Sequence, residues 1–460
     1  MKEKLELNKG FWINILGIAL PIAMQNLITM ATSMMDSVML GRADSTGVLL
    51  SASSLANQPF FILTMITFGL SGAASVLIAQ YWGKGELGPA RALLSIIMKA
   101  GFAVGLVFGL AVLFAPQTVM GLYTTRPEVI DAGVSYLRII GFAYFTFGIS
   151  NTIICTLRGV ELVLVSVVSG LASFCTNVFL NWVLIFGNLG APALGIRGAA
   201  IATLIARLLE FTIVLVYLFC VDKRLKFRLR DLGGFHRVLA GDLVRTGTLV
   251  VLNELCWSVT VSIQAAILGH IDYAVGDPVA ANSVASIVQQ LSTTFIFGFA
   301  GAAAVLVGKA IGAGETQTAI RRARTFQLSS FLLGLVACGF ILLIRDPFIA
   351  IYDIPEATKA LTRELIGVLA VITIFVSMAS TMIVGVLRGA GDVKFCMISE
   401  AVCLWCLATP IAFLAAMFFQ WPVPLVLVCM KLDEPAKTLA CCIRMRGTRW
   451  VTSLTRENIT

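Results

Sequence analysis

The sequence predicts an all-α integral membrane protein, with twelve transmembrane helices in two six-helix bundles related by a parallel internal repeat. Hydrophobic residues make up 58% of its 460 residues and charged residues only 13%, against about 25% charged residues in soluble domains. The apolar residues form runs that reach the roughly 20 residues needed to cross a bilayer. Motifs of the first half also return in the second half.

Hydropathy places the helices one after another with short polar breaks between them. The run that follows MKEKLELNK is too long for a signal peptide, so we expect it to be retained as the first helix. The expected spans are residues 11–40, 49–81, 92–115, 129–157, 163–187, 194–220, 243–269, 279–308, 325–344, 361–387, 395–418 and 421–443.

The distribution of basic residues predicts the orientation. With the N-terminus assigned to the cytoplasm, about 26 of the 34 Lys and Arg residues fall in cytoplasmic loops and about seven on the other side. The net charge of +9 therefore reflects topology, and we expect no nucleic-acid partner. Both termini are predicted to be cytoplasmic, in the plasma membrane (the inner membrane of a bacterium).

Comparison of the chain with itself reveals a repeat with an offset of about 230 residues. The matching segments are 68–74 with 297–303, 83–86 with 312–315, and the Leu-Arg-Gly turns 157–159 with 387–389. Six spans per copy give both copies the same orientation, so we expect the substrate path between them. The paired glycines of the first match are expected to let helices approach closely.

The repeat defines the domain organisation. Residues 1–221 are expected to form an N-terminal six-helix lobe, and residues 241–460 a C-terminal six-helix lobe with a short cytoplasmic tail. Residues 222–240 form a basic cytoplasmic linker, which contains the dense run of Lys and Arg that follows the sixth span.

The first span carries a single polar stripe. Helical spacing places its polar residues on one face, while the other faces are apolar. These residues are Gln25, Thr29, Thr32 and Asp36. A carboxylate at membrane depth costs about 2.5–3.5 kcal/mol, so such a stripe is typical of a cavity lining. The alternative is that Asp36 lies at the headgroups, because Gly41 and Arg42 follow closely.

Three further polar residues of the first half could join Asp36. Asn177 and Asn181 are four residues apart on the fifth span, and Thr203 lies in the sixth. With Asp36 they form an all-oxygen set that suits Na⁺, and a buried carboxylate can carry a proton instead. The alternative is that the asparagines only tie helices together.

The seventh span places an acid beside an indole. Glu254, Trp257 and Gln264 share one helical face, and an acid with an aromatic wall suits an organic cation. We expect these residues and Gln25 to contact the substrate. Alternatively, Glu254 only favours the helix N-terminus. Arg207 and Glu210, three residues apart, are expected to form a structural pair.

Catalytic function is not indicated by any motif. The chain has only two histidines, His236 and His270, and no catalytic motif in a soluble segment. Cys403 and Cys406 form a CxxC inside an apolar run, which predicts neither a disulfide nor a metal site. We therefore expect neither an enzyme nor a cofactor apart from a coupling ion.

With these residues in place, the chain resembles the multidrug and toxic compound extrusion (MATE) family of cation-coupled exporters. The resemblance covers nearly the whole chain. It is carried by residues 35–41 (MDSVMLG), 177–182 (NVFLNW), 184–187 (LIFG), 198–203 (GAAIAT), Asn253-Glu254 with Trp257, and the two Leu-Arg-Gly turns.

The resemblance implies an antiporter that works by alternating access and exports amphipathic, often cationic compounds against Na⁺ or H⁺. It places the cation site at Asp36, Asn177, Asn181 and Thr203, and an acidic site at Glu254. We expect a monomer. The nearest alternative is a flippase for a lipid-linked oligosaccharide, which would need a basic cavity, and an integral-membrane enzyme is a more distant one.

Two features depart from the family pattern. The tenth span lacks the acid that some members carry, which puts a second acidic site near that helix in doubt. Charged residues interrupt the last span, which predicts either a short span with a cytoplasmic tail or charges that pair inside a polar cavity. These residues are Lys431, Asp433, Glu434 and Lys437.

Overall fold

The architecture comes from a computed structural model that describes residues 6, 8–44, 46–234, 236–269, 277–352 and 355–455. His270 lies outside these residues. The helices are α1 Lys9–Ala43, α2 Val48–Ala56, α3 Gln58–Lys84, α4 Leu87–Phe114, α5 Pro116–Gly121, α6 Pro127–Gly159, α7 Leu164–Phe186, α8 Ile196–Val216, α9 Arg237–Gly269, α10 Pro278–Gly312, α11 Thr316–Ile349, α12 Glu356–Ser380, α13 Val393–Ala401, α14 Thr409–Met417, α15 Val423–Met430 and α16 Asp433–Arg444.

Three π-helical segments extend or join these helices. Tyr217–Val221 extends α8, Thr381–Leu387 extends α12, and Val402–Ala408 joins α13 to α14. Eleven helical segments of the described chain are long and apolar enough to cross a membrane. The protein is therefore a multi-pass membrane protein, and all regular structure in the described residues is helical, as predicted.

The twelfth predicted span is a broken helix. The segment 421–443 contains two short helices, α15 and α16, separated at Lys431 and Leu432. At the start of α16, Lys437 Nζ lies 2.8 Å from Asp433 Oδ2 and 2.8 Å from Glu434 Oε1. Three of the four charges thus pair with one another, whereas Lys431 is in no ion pair with a described residue.

The Lys437 cluster gives the first testable prediction. Lys437→Ala leaves the buried carboxylate of Asp433 and the partly buried carboxylate of Glu434 without their base, which we expect to cost about 3–5 kcal/mol. The matched control is Arg363→Ala, whose partner Asp346 and own side chain are both about half exposed, and which should cost about 0–1 kcal/mol. Thermal unfolding in detergent compares the two, and equal melting temperatures would contradict the role of Lys437.

The contacts between the lobes follow the repeat. α1 of the first lobe packs against α10 of the second, and α9 of the second packs against α3 of the first. Because α9 and α10 correspond to α1 and α3 in the repeat, these two contacts are equivalent. α3 and α10 also pack against each other. The two lobes therefore meet around an approximate two-fold axis.

The closest approach of the lobes lies at the end that carries the N-terminus. A Cβ atom at Gly83 of α3 would overlap the carbonyl of Lys309 in α10, and one at Gly312 of α10 would overlap the carbonyl of Gln80 in α3. Both glycines belong to the repeated segments 83–86 and 312–315. At this end, only glycine lets the two backbones touch.

Polar contacts join the lobes at the same end. Gln80 Nε2 donates to the carbonyl of Gly389 at 3.2 Å, and Gln80 Oε1 accepts from the backbone N–H of Leu454 at 2.7 Å. Lys309 Nζ of the second lobe lies 2.6 Å from Glu161 Oε1 of the first. The segment after α16 thus packs back between the lobes and holds this end closed.

Candidate functional site

A cavity of about 540 Å³ lies inside the first lobe. Its walls come from α1, α2, α3, α6, α7 and α8. Although the repeat led us to expect the substrate path between the lobes, every residue that lines this cavity belongs to the N-terminal lobe. The aromatic wall is formed by Phe60, Phe61, Phe68, Tyr136 and Phe147.

The polar stripe of α1 also lines this cavity. Gln25, Thr29, Thr32 and Asp36 all line the cavity, so the helical spacing placed them on the correct face. The Thr29 hydroxyl donates to the carbonyl of Gln25 at 3.0 Å, and the Thr32 hydroxyl donates to the carbonyl of Ile28 at 2.8 Å. The carboxylate of Asp36 therefore faces the interior of the lobe.

Asp36 is held by a chain of side-chain amides. Asn181 Nδ2 donates to Asp36 Oδ1 at 2.5 Å and to Asn177 Oδ1 at 3.1 Å. Asn177 Nδ2 in turn donates to Thr203 Oγ1 at 3.1 Å. The structure thus brings together the four residues predicted for the cation site, on α1, α7 and α8. The same hydrogen bonds also tie the three helices together, which is the alternative role of the asparagines.

The chemistry of this group suits a single positive charge. Both asparagines are buried, and Asp36 forms no ion pair with any described residue. Among the described residues, no group of three or more His, Cys, Asp or Glu side chains could hold a metal ion. One carboxylate with neutral oxygen neighbours matches a proton or a monovalent cation such as Na⁺.

Arg207 and Glu210 form the predicted pair within the cavity wall. Arg207 Nη1 lies 2.8 Å from Glu210 Oε2, and the guanidinium carbon lies 5.2 Å from the centre of the Phe147 ring. Its charge is thus balanced by Glu210 and by an aromatic face. Asp36 remains the carboxylate of this cavity that has no basic partner.

Asp44, the next acid after Asp36, has a different role. Its side chain follows the end of α1 and accepts from the backbone N–H groups of Thr46 at 2.9 Å and Leu49 at 3.0 Å. These hydrogen bonds, that of Leu49 first, lower the pKa of the Asp44 carboxyl. Asp44 is thus an ionised turn residue that organises the entry into α2.

The two repeated arginines, Arg158 and Arg388, have partners that could not be predicted from the sequence. Arg158 donates to Gln25 Oε1, and Arg388 Nη1 lies 3.1 Å from Glu254 Oε1. Because the repeat relates both members of these pairs, each lobe ties its first helix to the Leu-Arg-Gly turn. The repeated Leu-Arg-Gly turn marks both arginines in the sequence, but it does not reveal that they contact Gln25 and Glu254.

The residues predicted on α9 have three different surroundings. Glu254 pairs with Arg388, Trp257 is 41% exposed, and Gln264 Nε2 donates to the carbonyl of Met430 at 3.0 Å. None of them lines the cavity of the first lobe. Their contact with substrate stays a prediction. Glu400 of α13, which the sequence analysis missed, accepts from Asn253 Nδ2 at 2.7 Å.

Comparison with known proteins identifies the family. The MatE family model matches the chain twice, over residues 21–183 and 249–414. The chain belongs to the MATE family. One match falls in each half of this MATE protein, which agrees with the internal repeat. The first match contains Asp36, Asn177 and Asn181, and the second contains Glu254 and Glu400.

Curated MATE relatives match most of the chain. The probable multidrug resistance protein NorM of Thermotoga maritima is 26% identical over 405 residues, which are 88% of this chain and 85% of that protein. The multidrug resistance protein PmpM of Pseudomonas aeruginosa is 26% identical over 414 residues, or 89% and 85% of the two chains.

Solved MATE structures share the fold. A crystal structure of MATE in the bent conformation superposes with a TM-score of 0.85 at 17% identity and covers 96% of this chain and 98% of that one. The eukaryotic MATE transporter AtDTX14 superposes with a TM-score of 0.82 at 18% identity and covers 96% of each chain.

Proposed function

We propose that this MATE protein is a cation-coupled antiporter that exports amphipathic, often cationic organic compounds from the cell. One observation carries the proposal: Asp36 is an unpaired carboxylate that faces an aromatic-walled cavity. The relatives named as multidrug resistance proteins support the choice of cargo. We infer a monomer in the plasma membrane with both termini in the cytoplasm.

The cavity suits an organic cation in size and in chemistry. Its volume of about 540 Å³ falls within the range of about 300–1,000 Å³ for pockets that hold drug-sized ligands. The rings of Phe61 and Phe68 line the cavity and offer π faces to a cationic cargo, and Asp36 supplies a charge. Gln25 adds a polar contact at the other end of the same stripe.

Coupling follows from competition for one negative charge. A proton or Na⁺ on Asp36 neutralises the carboxylate and weakens the attraction for an organic cation. By linkage, a bound organic cation weakens the hold on the proton or Na⁺ to the same degree. We propose that the coupling ion displaces the cargo at Asp36 when the cavity opens outward, and leaves after the lobes have reorientated.

The contacts between the lobes support alternating access. They lie at the end that the basic residues predict to be cytoplasmic, where Gly83 and Gly312 meet the opposite backbones and Lys309 meets Glu161. This arrangement corresponds to a state closed to the cytoplasm. Cargo can then enter from the cell interior only after these contacts break.

Transport by purified protein in liposomes tests this function. Vesicles loaded with tetraphenylphosphonium are given either an inward Na⁺ gradient or an inward pH gradient, and release of the cation is measured. We expect one gradient to drive release from protein-containing vesicles and neither gradient to do so in empty ones. Equal release with and without protein under both gradients would contradict the proposal.

A further inference from the structure

The basic linker, residues 222–240, carries an unbalanced positive charge. It contains six Lys and Arg residues but only two Asp residues. Both acids are engaged by the backbone, since Asp222 Oδ2 accepts from the N–H of Lys226 at 2.9 Å and Asp231 Oδ2 from that of Arg228 at 2.8 Å. The basic side chains that are exposed are Lys223, Arg224, Lys226, Arg228, Arg230 and Arg237.

Most of these bases have no acidic partner. Lys223, Lys226 and Arg228 form no ion pair with any described residue. Arg230 approaches only Asp231, at 4.0 Å, and its side chain is 72% exposed. Arg224 differs from them, because it donates to the carbonyl of Val160 at 2.9 Å and so helps to fix the linker on the first lobe. The linker thus presents several unpaired positive charges on a fixed backbone, which suits an anionic partner.

Helix α4 holds the linker along its flank. Arg91 Nε donates to the carbonyl of Leu225 at 2.6 Å, and Lys99 Nζ donates to the carbonyl of Gly234 at 3.1 Å. Arg91 and Lys99 are eight residues apart, so the linker follows α4 over about 12 Å. Leu225 and Phe227 are buried in the core of the first lobe. The linker is therefore packed against the lobe over much of its length.

The surface of α4 indicates the depth of the linker relative to the membrane. Phe102, three residues after Lys99, is 44% exposed, and Phe114 at the end of the same helix is 84% exposed. Exposed apolar side chains of a transmembrane helix face acyl chains, whereas a lysine near the helix end reaches to the headgroups. Lys99 thus marks the border between the two, and the linker bonded to it lies at headgroup level.

An apolar side chain lies between two arginines in the linker. Leu229 is 71% exposed, and both of its neighbours, Arg228 and Arg230, are exposed as well. Basic residues combined with an exposed apolar residue are typical of segments that bind at the surface of anionic membranes. A guanidinium group can hold a phosphate by two parallel hydrogen bonds. A nucleic acid or a soluble anion, by contrast, would gain nothing from Leu229.

We propose that the basic linker binds the phosphate headgroups of anionic phospholipids. Lys226, Arg228 and Arg230 contact the phosphates, and Leu229 inserts among the acyl chains. A topology signal requires only that positive charges lie on this side of the membrane, whereas a binding site requires them at these positions. The proposal does not depend on the proposed antiport.

Native mass spectrometry of purified full-length protein in a neutral detergent tests the proposal by counting bound lipid. Phosphatidylglycerol and phosphatidylcholine are titrated separately, and we expect wild-type protein to bind phosphatidylglycerol more tightly. Each basic residue near an anionic lipid strengthens binding about fivefold. A variant that combines Lys226→Gln, Arg228→Gln and Arg230→Gln should therefore bind phosphatidylglycerol about ten- to hundredfold more weakly.

The matched control removes three exposed arginines from the opposite end of the same lobe. It combines Arg42→Gln, Arg126→Gln and Arg197→Gln, and it should bind phosphatidylglycerol as tightly as wild-type protein. All substituted side chains are exposed, so we expect both variants to keep the wild-type melting temperature. Wild-type affinity in the linker variant, or an equal loss of affinity in the two variants, would overturn the proposal.

A second arm distinguishes a lipid from a free phosphate. Glycerol 1-phosphate carries the phosphate without acyl chains, so an equal concentration of it should not displace phosphatidylglycerol. Leu229→Ser should weaken the binding of phosphatidylglycerol, because it removes the apolar contact and leaves every charge in place. Displacement by glycerol 1-phosphate, or unchanged lipid binding by Leu229→Ser, would assign the linker to soluble phosphates and contradict the lipid site.

Discussion

Asp36→Asn is expected to abolish drug efflux and leave a folded, membrane-inserted protein. Asparagine has nearly the same volume as aspartate and can still accept a hydrogen bond from Asn181, so the contacts among α1, α7 and α8 persist. The negative charge is lost, however, and with it the group for which cargo and coupling ion compete. Cells that express the variant should be as sensitive to toxic organic cations as cells without the transporter.

The matched control for this experiment is Asp131→Asn. Asp131 is exposed on α6 and lies outside the cavity, so the same change of charge there should leave resistance at the wild-type level. Expression of each variant in the membrane is quantified in parallel. Wild-type resistance in cells with a well-expressed Asp36→Asn protein would remove Asp36 from the mechanism.

Gly83→Val is expected to separate the lobes at the closed end and to stop export. Its Cβ would overlap the carbonyl of Lys309, and neither backbone can move without shifting a whole helix. Overpacking of this kind destabilises a structure by about 1–3 kcal/mol. Here it destabilises only the state in which the lobes are in contact at this end. A bias of about 1.4 kcal/mol already changes a two-state ratio tenfold, so the closed state loses most of its population.

Spin labels on Lys223 and Glu315 report on this separation. Both positions are exposed at the same end of the molecule, Lys223 directly after the last helix of the first lobe and Glu315 in the second lobe. We expect the distance between the labels to lengthen in Gly83→Val and to stay at the wild-type value in Gly88→Val, where no atom lies within reach of a new Cβ. Equal distances in all three proteins would show that this contact does not control the lobes.

Much of the first-lobe site could be predicted because helical spacing fixes which residues share a face. The stripe that ends at Asp36 and the pair Asn177 and Asn181 each follow from spacing alone. Spacing does not reveal which helix a face meets, so the cavity within the lobe could not be predicted. The charges in the last span left two alternatives open for the same reason.

The second lobe was less accessible to sequence reasoning because its contacts join distant parts of the chain. Glu254 and Arg388 are 134 residues apart, and Asn253 and Glu400 are 147 apart. The acid on α9 was recognised, but its neutralisation by Arg388 was not. The internal repeat was the strongest long-range signal, since Gly83 with Gly312 and Arg158 with Arg388 turn out to perform matching structural tasks.

The binding affinity of tetraphenylphosphonium for purified protein, measured as the concentration of the coupling ion is varied, tests competition at Asp36 most directly. The affinity of wild-type protein should fall as the proton or Na⁺ concentration rises, and that of Asp36→Asn should be weak and independent of both ions. A wild-type affinity that does not respond to either ion would contradict the account.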